Sequence, residues 1–155
     1  MYALVLVLHS WLRWGALVAG VMAVVALLSG RGSRDAARAD TWGLFFIIAL
    51  DLQLLLGLAL YMGLSPNMQA IRADFGGAMR DPVARFWAVE HIMMMLVAIG
   101  AAHVGRVLAR KAPTPDARRS RLLLCFVIAL VAMVARTPWP GMTAGRPLFR
   151  ISATS

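Results

Sequence analysis

Two histidines, His9 and His91, lie in long apolar stretches, each within about two helical turns of where the stretch begins. An imidazole surrounded by lipid needs a hydrogen-bond partner, a water molecule or a metal, so such a residue indicates a functional site. One other apolar segment separates the two stretches, so the first and third helices are predicted to run in the same direction. His9 follows Tyr2 by seven residues and His91 follows Phe86 by five, which places both about 7–11 Å below the same membrane surface.

This matched depth suits two ligands of one metal centre. Neutral imidazole is a common axial ligand of haem iron and also binds copper and zinc. We therefore predict that His9 and His91 bind the iron of one haem in the core of a helix bundle. The simpler alternative, in which each histidine only hydrogen-bonds a neighbouring helix, stays open. His103 follows His91 by 12 residues, about 18 Å along the helix and about 120° around it, so we predict a hydrogen-bonding or interfacial role for it.

Three charged residues are predicted to lie near this site. Arg13 and Asp51 fall at similar depths near the middle of their segments, where an unpaired charge is costly, so we predict an ion pair. Arg13 also follows His9 by four residues on the same helix face, where it would bind or tune the cofactor. Arg136 ends the fourth segment on the side of the histidines, and its guanidinium is the candidate for binding a haem propionate. A purely structural ion pair and an ordinary interfacial arginine are the alternatives.

Copper is the alternative cofactor. Three consecutive methionines, Met93, Met94 and Met95, follow His91, and a thioether beside histidines suits copper(I). Consecutive residues project around most of a helix, so at most some of these side chains line one site, and the others fill gaps in the core. Cys125 is the single cysteine and lies in an apolar run, so the sequence predicts neither an intrachain disulfide nor a thiolate cluster.

The elements that must position these residues are membrane helices. The 155 residues are 61% hydrophobic and 15% charged, with a mean hydropathy of +0.74. Four segments predict helices at about 2–29, 42–63, 86–108 and 117–136, and the first three reach the roughly 20 residues that span a bilayer. Pro138 and Pro140 end the fourth. The predicted fold is all-α, an integral membrane four-helix bundle formed by one domain, residues 1–155.

The segment between the second and third helices predicts a short amphipathic helix. Ser65 and Pro66 are typical of an N-cap and a first helical turn, and Gly76-Gly77 of a helix end. Met68, Ile71 and Phe75 recur at helical spacing, opposite polar residues. We predict that this helix lies on the outer membrane surface, where it either covers a site or packs on the bilayer.

The net charge of +9 is interpreted as membrane orientation and anionic-lipid contact, not as a nucleic-acid face, because the arginines cluster in short loops. Nine basic residues follow the first and third helices: Arg31, Arg34, Arg38, Arg106, Arg110, Lys111, Arg118, Arg119 and Arg121. Six lie on the other side: Arg72, Arg80, Arg85, Arg136, Arg146 and Arg150. This excess predicts cytoplasmic first and third loops and two periplasmic termini.

Several sequence runs are similar to those of a known group of proteins. The runs HSWLRW (9–14), LDLQLLLGLALY (50–61), RFWAVEHIMMM (85–95), AHVGR (102–106) and TPWPG (137–141) resemble small four-helix bacterial membrane proteins labelled cytochrome b or cytochrome b-like. This resemblance covers nearly the whole chain. It implies a b-type haem held by His9 and His91, a bacterial inner-membrane location, and transmembrane or periplasmic electron transfer. The chain lacks the second in-line histidine pair of di-haem relatives.

Three functions therefore remain. The first is a protein that binds one haem b and passes electrons near the periplasmic face between a quinol or periplasmic donor and a partner. The second is a copper-handling membrane protein that uses the same histidines. The third is a cofactor-free accessory subunit of a larger membrane complex. The bilayer is the common partner in all three, and both a larger membrane complex and a homodimer stay open as the assembly.

Overall fold

The computed structural model describes residues 1–30 and 32–149. The loop charges predicted on Arg31 and Arg150 lie outside these residues. Every regular element in the described residues is helical, as the all-α prediction required: α1 (Tyr2–Ser29), α2 (Ser33–Ala59), α3 (Pro66–Ala73), α4 (Phe75–Ala78), α5 (Pro82–Arg85), α6 (His91–Arg110) and α7 (Pro115–Ala135). Two π-helical segments, Leu60–Leu64 and Phe86–Glu90, extend α2 and precede α6.

The long helices pack in neighbouring pairs. α1 packs along α2 and α6 along α7, and the two pairs meet through contacts of α1 with α7 and of α2 with α6. The α1–α2 and α6–α7 connections lie together, because the Arg119 side chain donates to the carbonyls of Leu27 and Leu28 at the end of α1. We call this the connection end. The opposite end, which carries His9 and His91, is the cavity end.

Helix α2 begins nine residues earlier than the predicted start at residue 42. The sequence prediction followed hydropathy and assigned residues 30–41 to a polar loop. Alanine and arginine are strong helix formers and an acidic residue, Asp35, stands in the first turn, so helix continues beyond the apolar segment. The extra turns bring Asp40 to Arg118 of α7 and to within 3.8 Å of Arg106 of α6.

Small residues allow the long helices to approach closely at the connection end. Alanines of all four helices are buried there, including Ala23, Ala102 and Ala129. A Cβ added at Gly105 would lie 2.6 Å from Cβ of Cys125, and one added at Gly43 would lie 2.9 Å from the Phe126 ring. Membrane helices typically associate through small residues of this kind, because lipid supplies no hydrophobic force between them.

Large apolar side chains cover the outside of the helices. Leu55, Met93 and Val131, for example, are more than half exposed. Three helical stretches are long and apolar enough to cross a membrane: Tyr2–Ser29, Ser33–Leu64 and Pro82–Arg110. The fourth long helix, α7, has 21 residues, and its first two turns carry Asp116 and three arginines.

The predicted amphipathic helix is present but shorter than expected. α3 begins at the Ser65 cap, whose side chain accepts a hydrogen bond from the Met68 backbone N–H, and it buries Met68 and Ile71. It ends at Ala73, since Asp74 caps the separate helix α4. Phe75 is therefore 51% exposed and does not belong to the apolar face of α3. Gly76 and Gly77 lie inside α4 and do not end α3.

Candidate functional site

A cavity of about 160 Å³ lies at the cavity end, and both His9 and His91 line it. α1, α2, the two π-helical segments and α6 form most of its wall, and Asn67 and Met68 at the start of α3 also line it. Leucine, isoleucine and methionine together supply ten of its 25 lining residues. The volume is about ten times the 10–15 Å³ that one water requires, so the space can hold a larger group.

His91 is held in one orientation by the end of α7. Its Nδ1 lies 2.8 Å from the backbone carbonyl of Arg136, the residue that follows α7. A carbonyl oxygen only accepts hydrogen bonds, so Nδ1 carries the proton and donates it. The lone pair of Nε2 is then available to a metal, and this is the arrangement of many ligating histidines. The rings of Phe86 and Trp87 lie 5.9 Å and 5.6 Å from the imidazole and further limit its rotation.

His9 reaches the cavity across a glycine of α2. A Cβ added at Gly57 would lie 3.3 Å from Cε1 of His9, closer than nine in ten such contacts. The glycine therefore provides the room in which this imidazole lies against helix α2. In the described part of the chain, Nδ1 of His9 and Oε1 of Gln53 are buried without a hydrogen-bond partner. Orphaned polar atoms of this kind are rare in proteins, and here two of them belong to side chains that line one cavity.

The predicted ion pair between Arg13 and Asp51 is wrong. Oδ1 of Asp51 lies 2.8 Å from Nε2 of His103 on α6, and Nη2 of Arg13 donates to the Leu148 carbonyl at 3.1 Å. The depth argument overlooked rotation about the helix axis. Asp51 and Gln53 are two residues apart, which is about 200° on an α-helix, and it is Gln53 that shares the cavity wall with Arg13.

His103 therefore has the hydrogen-bonding role that its spacing predicted. Its Nε2 is engaged by Asp51, and its side chain is 49% exposed on the outside of α6. It does not line the cavity that holds His9 and His91.

Arg136 contributes to the site through its backbone. Its carbonyl holds His91, but Nη1 of its guanidinium lies 3.4 Å from Oε2 of Glu90, and the side chain does not line the cavity. Glu90 also accepts from Nε of Arg85 at 3.0 Å. The predicted propionate-binding role is therefore not supported for Arg136. Arg13 and Arg146 are the guanidinium side chains on the cavity wall, and Arg146 lies 4.7 Å from the centre of the Trp87 ring.

The methionines behave as their spacing predicted. Met95 lines the cavity, Met94 packs against the core, and Met93 is 53% exposed. Met133 of α7 is a second thioether on the cavity wall. In residues 1–30 and 32–149, no group of three or more histidine, cysteine, aspartate or glutamate side chains is arranged to hold a metal ion.

Sequence reasoning missed a stripe on α2 and on the π-helical segment that extends it, and this stripe lines the cavity. Gln53, Gly57 and Tyr61 recur at intervals of four residues and all face the site. The Tyr61 hydroxyl donates to the Ala88 carbonyl at 2.9 Å and so joins the two π-helical segments. A polar–small–polar repeat in the otherwise apolar run LDLQLLLGLALY was the signal that could have identified it. Arg146 had no such signal, since the irregular chain after α7 places it there.

No protein-family model, curated protein or solved structure matches the chain. The similarity to cytochrome b-like proteins thus rests on the sequence runs alone. The site itself consists of two imidazoles on one apolar cavity, a fixed tautomer at His91, two guanidinium groups on the wall, and the buried atoms of His9 and Gln53 that find no partner among the described residues. Such a site can bind a largely apolar group that offers a metal to nitrogen ligands and acidic groups to arginine.

Proposed function

We propose that this chain is an integral membrane protein that binds one b-type haem between His9 and His91 and transfers electrons. The observation that carries the proposal is that both imidazoles line one apolar cavity, while the Arg136 carbonyl fixes the proton of His91 on Nδ1. Two neutral imidazoles on one cavity would hold a haem iron through their free nitrogens. The orphaned polar atoms of His9 and Gln53 support the presence of a bound group.

The helix arrangement also fits this cofactor. α1 contacts α2 and α7, and α6 contacts the same two helices, which supports a four-helix bundle with α1 and α6 on a diagonal. Packed helices are about 8–10 Å apart, so diagonal neighbours are separated by about 11–14 Å and leave space between them for a flat group. Bundles build cofactor sites in this central position.

The residues of the chain then have separate tasks. The Arg136 carbonyl orients His91, and Gly57 leaves room for the ring of His9. Arg13 and Arg146 place positive charge at the cavity, where they bind and neutralise acidic groups of the ligand. α3 covers the cavity through Asn67 and Met68 and limits the entry of water. When bound, haem supplies a one-electron iron couple whose potential depends on its ligands and on burial.

The location follows from the apolar helices and the loop charges. The three spans named above enter the bilayer together with α7, whose arginines lie at the interface. The connection end, rich in arginine, faces the cytoplasm of a bacterial cell, and the cavity end lies just beneath the periplasmic surface. A quinol or a periplasmic redox protein is then the partner with the shortest path to the site.

Optical spectroscopy of the purified protein tests the proposal. We expect a Soret band that shifts on reduction with dithionite and is lost, or strongly reduced, in His9→Ala and His91→Ala. His103→Ala is the matched control, because this histidine lies on another face of α6 and bonds Asp51. The control is expected to keep the wild-type spectrum.

Two other results would replace haem binding with another function. Stoichiometric copper without a Soret band would favour the copper alternative, for which Met95 on the same cavity wall is the specific observation. A colourless protein without metal that co-purifies with larger partners would favour a cofactor-free accessory subunit.

A further inference from the structure

A polar pair on the outside of the helices is unexplained by the cavity. Asp51 of α2 and His103 of α6 are hydrogen-bonded at 2.8 Å, yet their side chains remain 47% and 49% exposed. Neither residue lines the cavity at the other side of these helices. Exposed apolar side chains three or four residues away share these helix faces, namely Ile48, Leu55 and Val107.

The pair lies within the apolar part of the helices. Arg106, Arg118 and Asp40 form the charged cluster at the connection end. Asp51 is eleven residues beyond Asp40 on α2, and His103 is three residues before Arg106 on α6, so they lie about 16 Å and 5 Å further into the span. Ionisable groups at such depth almost always face protein or a water-filled space, because exposure to lipid is costly.

The unused hydrogen-bonding groups of the pair are complementary to one another. One carboxylate oxygen of Asp51 bonds Nε2 of His103, and in the described ranges no residue bonds the other oxygen, Oδ2, or Nδ1 of His103. A carboxyl–imidazole pair without net charge carries one further proton, on Nδ1 or on Oδ2, so one of these two groups donates and the other accepts. Two such pairs can therefore meet without net repulsion.

We propose that this face, formed by Asp51, His103 and the neighbouring surfaces of α2 and α6, is the interface with a second copy of the chain. A twofold axis beside the pair lets Nδ1 of each His103 share a hydrogen bond with Oδ2 of the other copy's Asp51, so that both remaining groups are satisfied by an isologous contact. Polar side chains that bond across helices in this manner stabilise helix association in membranes. The proposal rests on the membrane placement given above and does not depend on haem.

The shape of α6 next to the pair supports close approach. Gly100 lies one turn before His103 and is exposed, and a Cβ added there would meet no atom within 4 Å. A glycine on an outward helix face lets a neighbouring backbone come near, and the polar pair one turn away supplies the specific contact.

Cysteine crosslinking in native membranes tests the interface. The experiment uses the full chain with Cys125 replaced by alanine, which keeps the Cβ that packs on Gly105. Gly100→Cys is the test variant and Val131→Cys the matched control, since Val131 is exposed on α7. The two positions lie at similar depth, because Gly105 and Cys125 are in contact and each position is five or six residues from them. A short membrane-permeable bis-methanethiosulfonate reagent is expected to give a covalent dimer with Gly100→Cys and none with Val131→Cys.

A double substitution tests the polar contact itself. Asp51→Leu with His103→Leu removes the pair and leaves an apolar face, so dimerisation in detergent is expected to weaken at least about tenfold, equivalent to about 1.4 kcal/mol. Native mass spectrometry or light scattering measures the change. The Soret band is expected to persist, which separates this result from a failure of the haem proposal.

Three outcomes would overturn the inference: a monomeric wild type in native membranes, equal crosslinking at Val131, or an unweakened dimer in the double variant. A larger complex with a different protein, crosslinked through Gly100→Cys, would also exclude the second copy as the occupant of this face.

Discussion

The two ends of the helices are built in different ways. At the connection end the helices meet through alanine and glycine, and the rings of Phe46 and Phe126 pack edge to face, with their centres 5.5 Å apart. At the cavity end the same helices part around His9 and His91, and regular α-helix gives way to π-helical segments. π-helical turns are frequently found at functional sites. The connection end is thus built for close packing, while the cavity end retains polar atoms that have no partner within the described chain.

This contrast separates stability from function along one set of helices. Tight packing at one end can hold the helices in register while the other end leaves space and unsatisfied groups for a ligand. The cost of those groups has to be balanced by packing elsewhere, as is common for functional sites. Substitutions at the two ends should therefore have effects of different kinds.

The largest expected effect is on stability and lies at the connection end. Phe126 is 0% exposed and contacts both Phe46 and the space beside Gly43. Phe126→Ala removes this packing and leaves a cavity, so the free energy of unfolding is expected to fall by about 3–5 kcal/mol. Phe45→Ala is the control, because Phe45 is 53% exposed and its ring packs edge to face only on Trp42 among the described aromatic rings, so stability is expected to fall by about 0.5–1.5 kcal/mol. Thermal or denaturant unfolding in detergent measures both.

The spectrum of the protein that remains folded completes this test. If the two ends are independent, folded Phe126→Ala protein keeps the Soret maximum of the wild type. A shifted maximum would show that the packing at Phe126 also sets the geometry of the cavity, and the division between the ends would then be wrong.

The sequence predicted much of this framework because hydropathy identifies long apolar helices. The predicted bounds of α1 agree with the structure, and the cap formed by Ser65 and Pro66 was identified from residue types alone. The start of α2 was wrong, because a charged stretch that favours helix by propensity carries no hydropathy signal. Helical spacing also brought His9 and His91 to one depth, and the structure places both on one cavity.

Rotation about the helix axis and irregular chain were the parts that the sequence did not predict. Depth alone paired Arg13 with Asp51, whereas the direction of Asp51 is set by how α2 packs on α1 and α6. The π-helical segments also change the direction, about the helix axis, in which the following side chains point. α6 begins at His91, directly after one of these segments. The position of Arg146 depends on the irregular chain after α7. This chain folds back on itself, and the backbone N–H of Arg146 donates to the Pro138 carbonyl.

An intermediate effect is expected from the buried amide of the cavity end. Oε1 of Gln53 lacks a partner in the described chain, and a buried polar group in this state costs about 1–3 kcal/mol. Gln53→Leu is therefore expected to raise the free energy of unfolding of the cofactor-free protein by about this amount. Gln53→Glu, which places a charge at the same position, should lower it.

Thermal unfolding of protein produced with and without haem precursor measures this effect. If the bound group satisfies Gln53, the stabilisation by Gln53→Leu is smaller in the loaded protein than in the empty one. If Gln53→Leu instead destabilises the cofactor-free protein, Gln53 already has a structural role. The cavity end would then not contain an unsatisfied amide, and the proposed contrast between the two ends would be wrong at this residue.

The smallest expected change in stability accompanies a local effect on the site. Gly57→Ala introduces a methyl group 3.3 Å from Cε1 of His9. Alanine is favoured over glycine inside a helix by about 0.5–1 kcal/mol, and the crowding offsets part of this gain, so stability should change little. The imidazole must shift by a few tenths of an ångström, which is expected to alter the Soret maximum or the midpoint potential.

The control is Gly63→Ala, where an added Cβ meets no atom within 4 Å. It makes the same type of substitution without the contact and should leave the Soret maximum and the midpoint potential unchanged. Equal spectra for the two variants would mean that His9 does not bind the cofactor, because a ligand ring that is displaced from its position must change the environment of the metal.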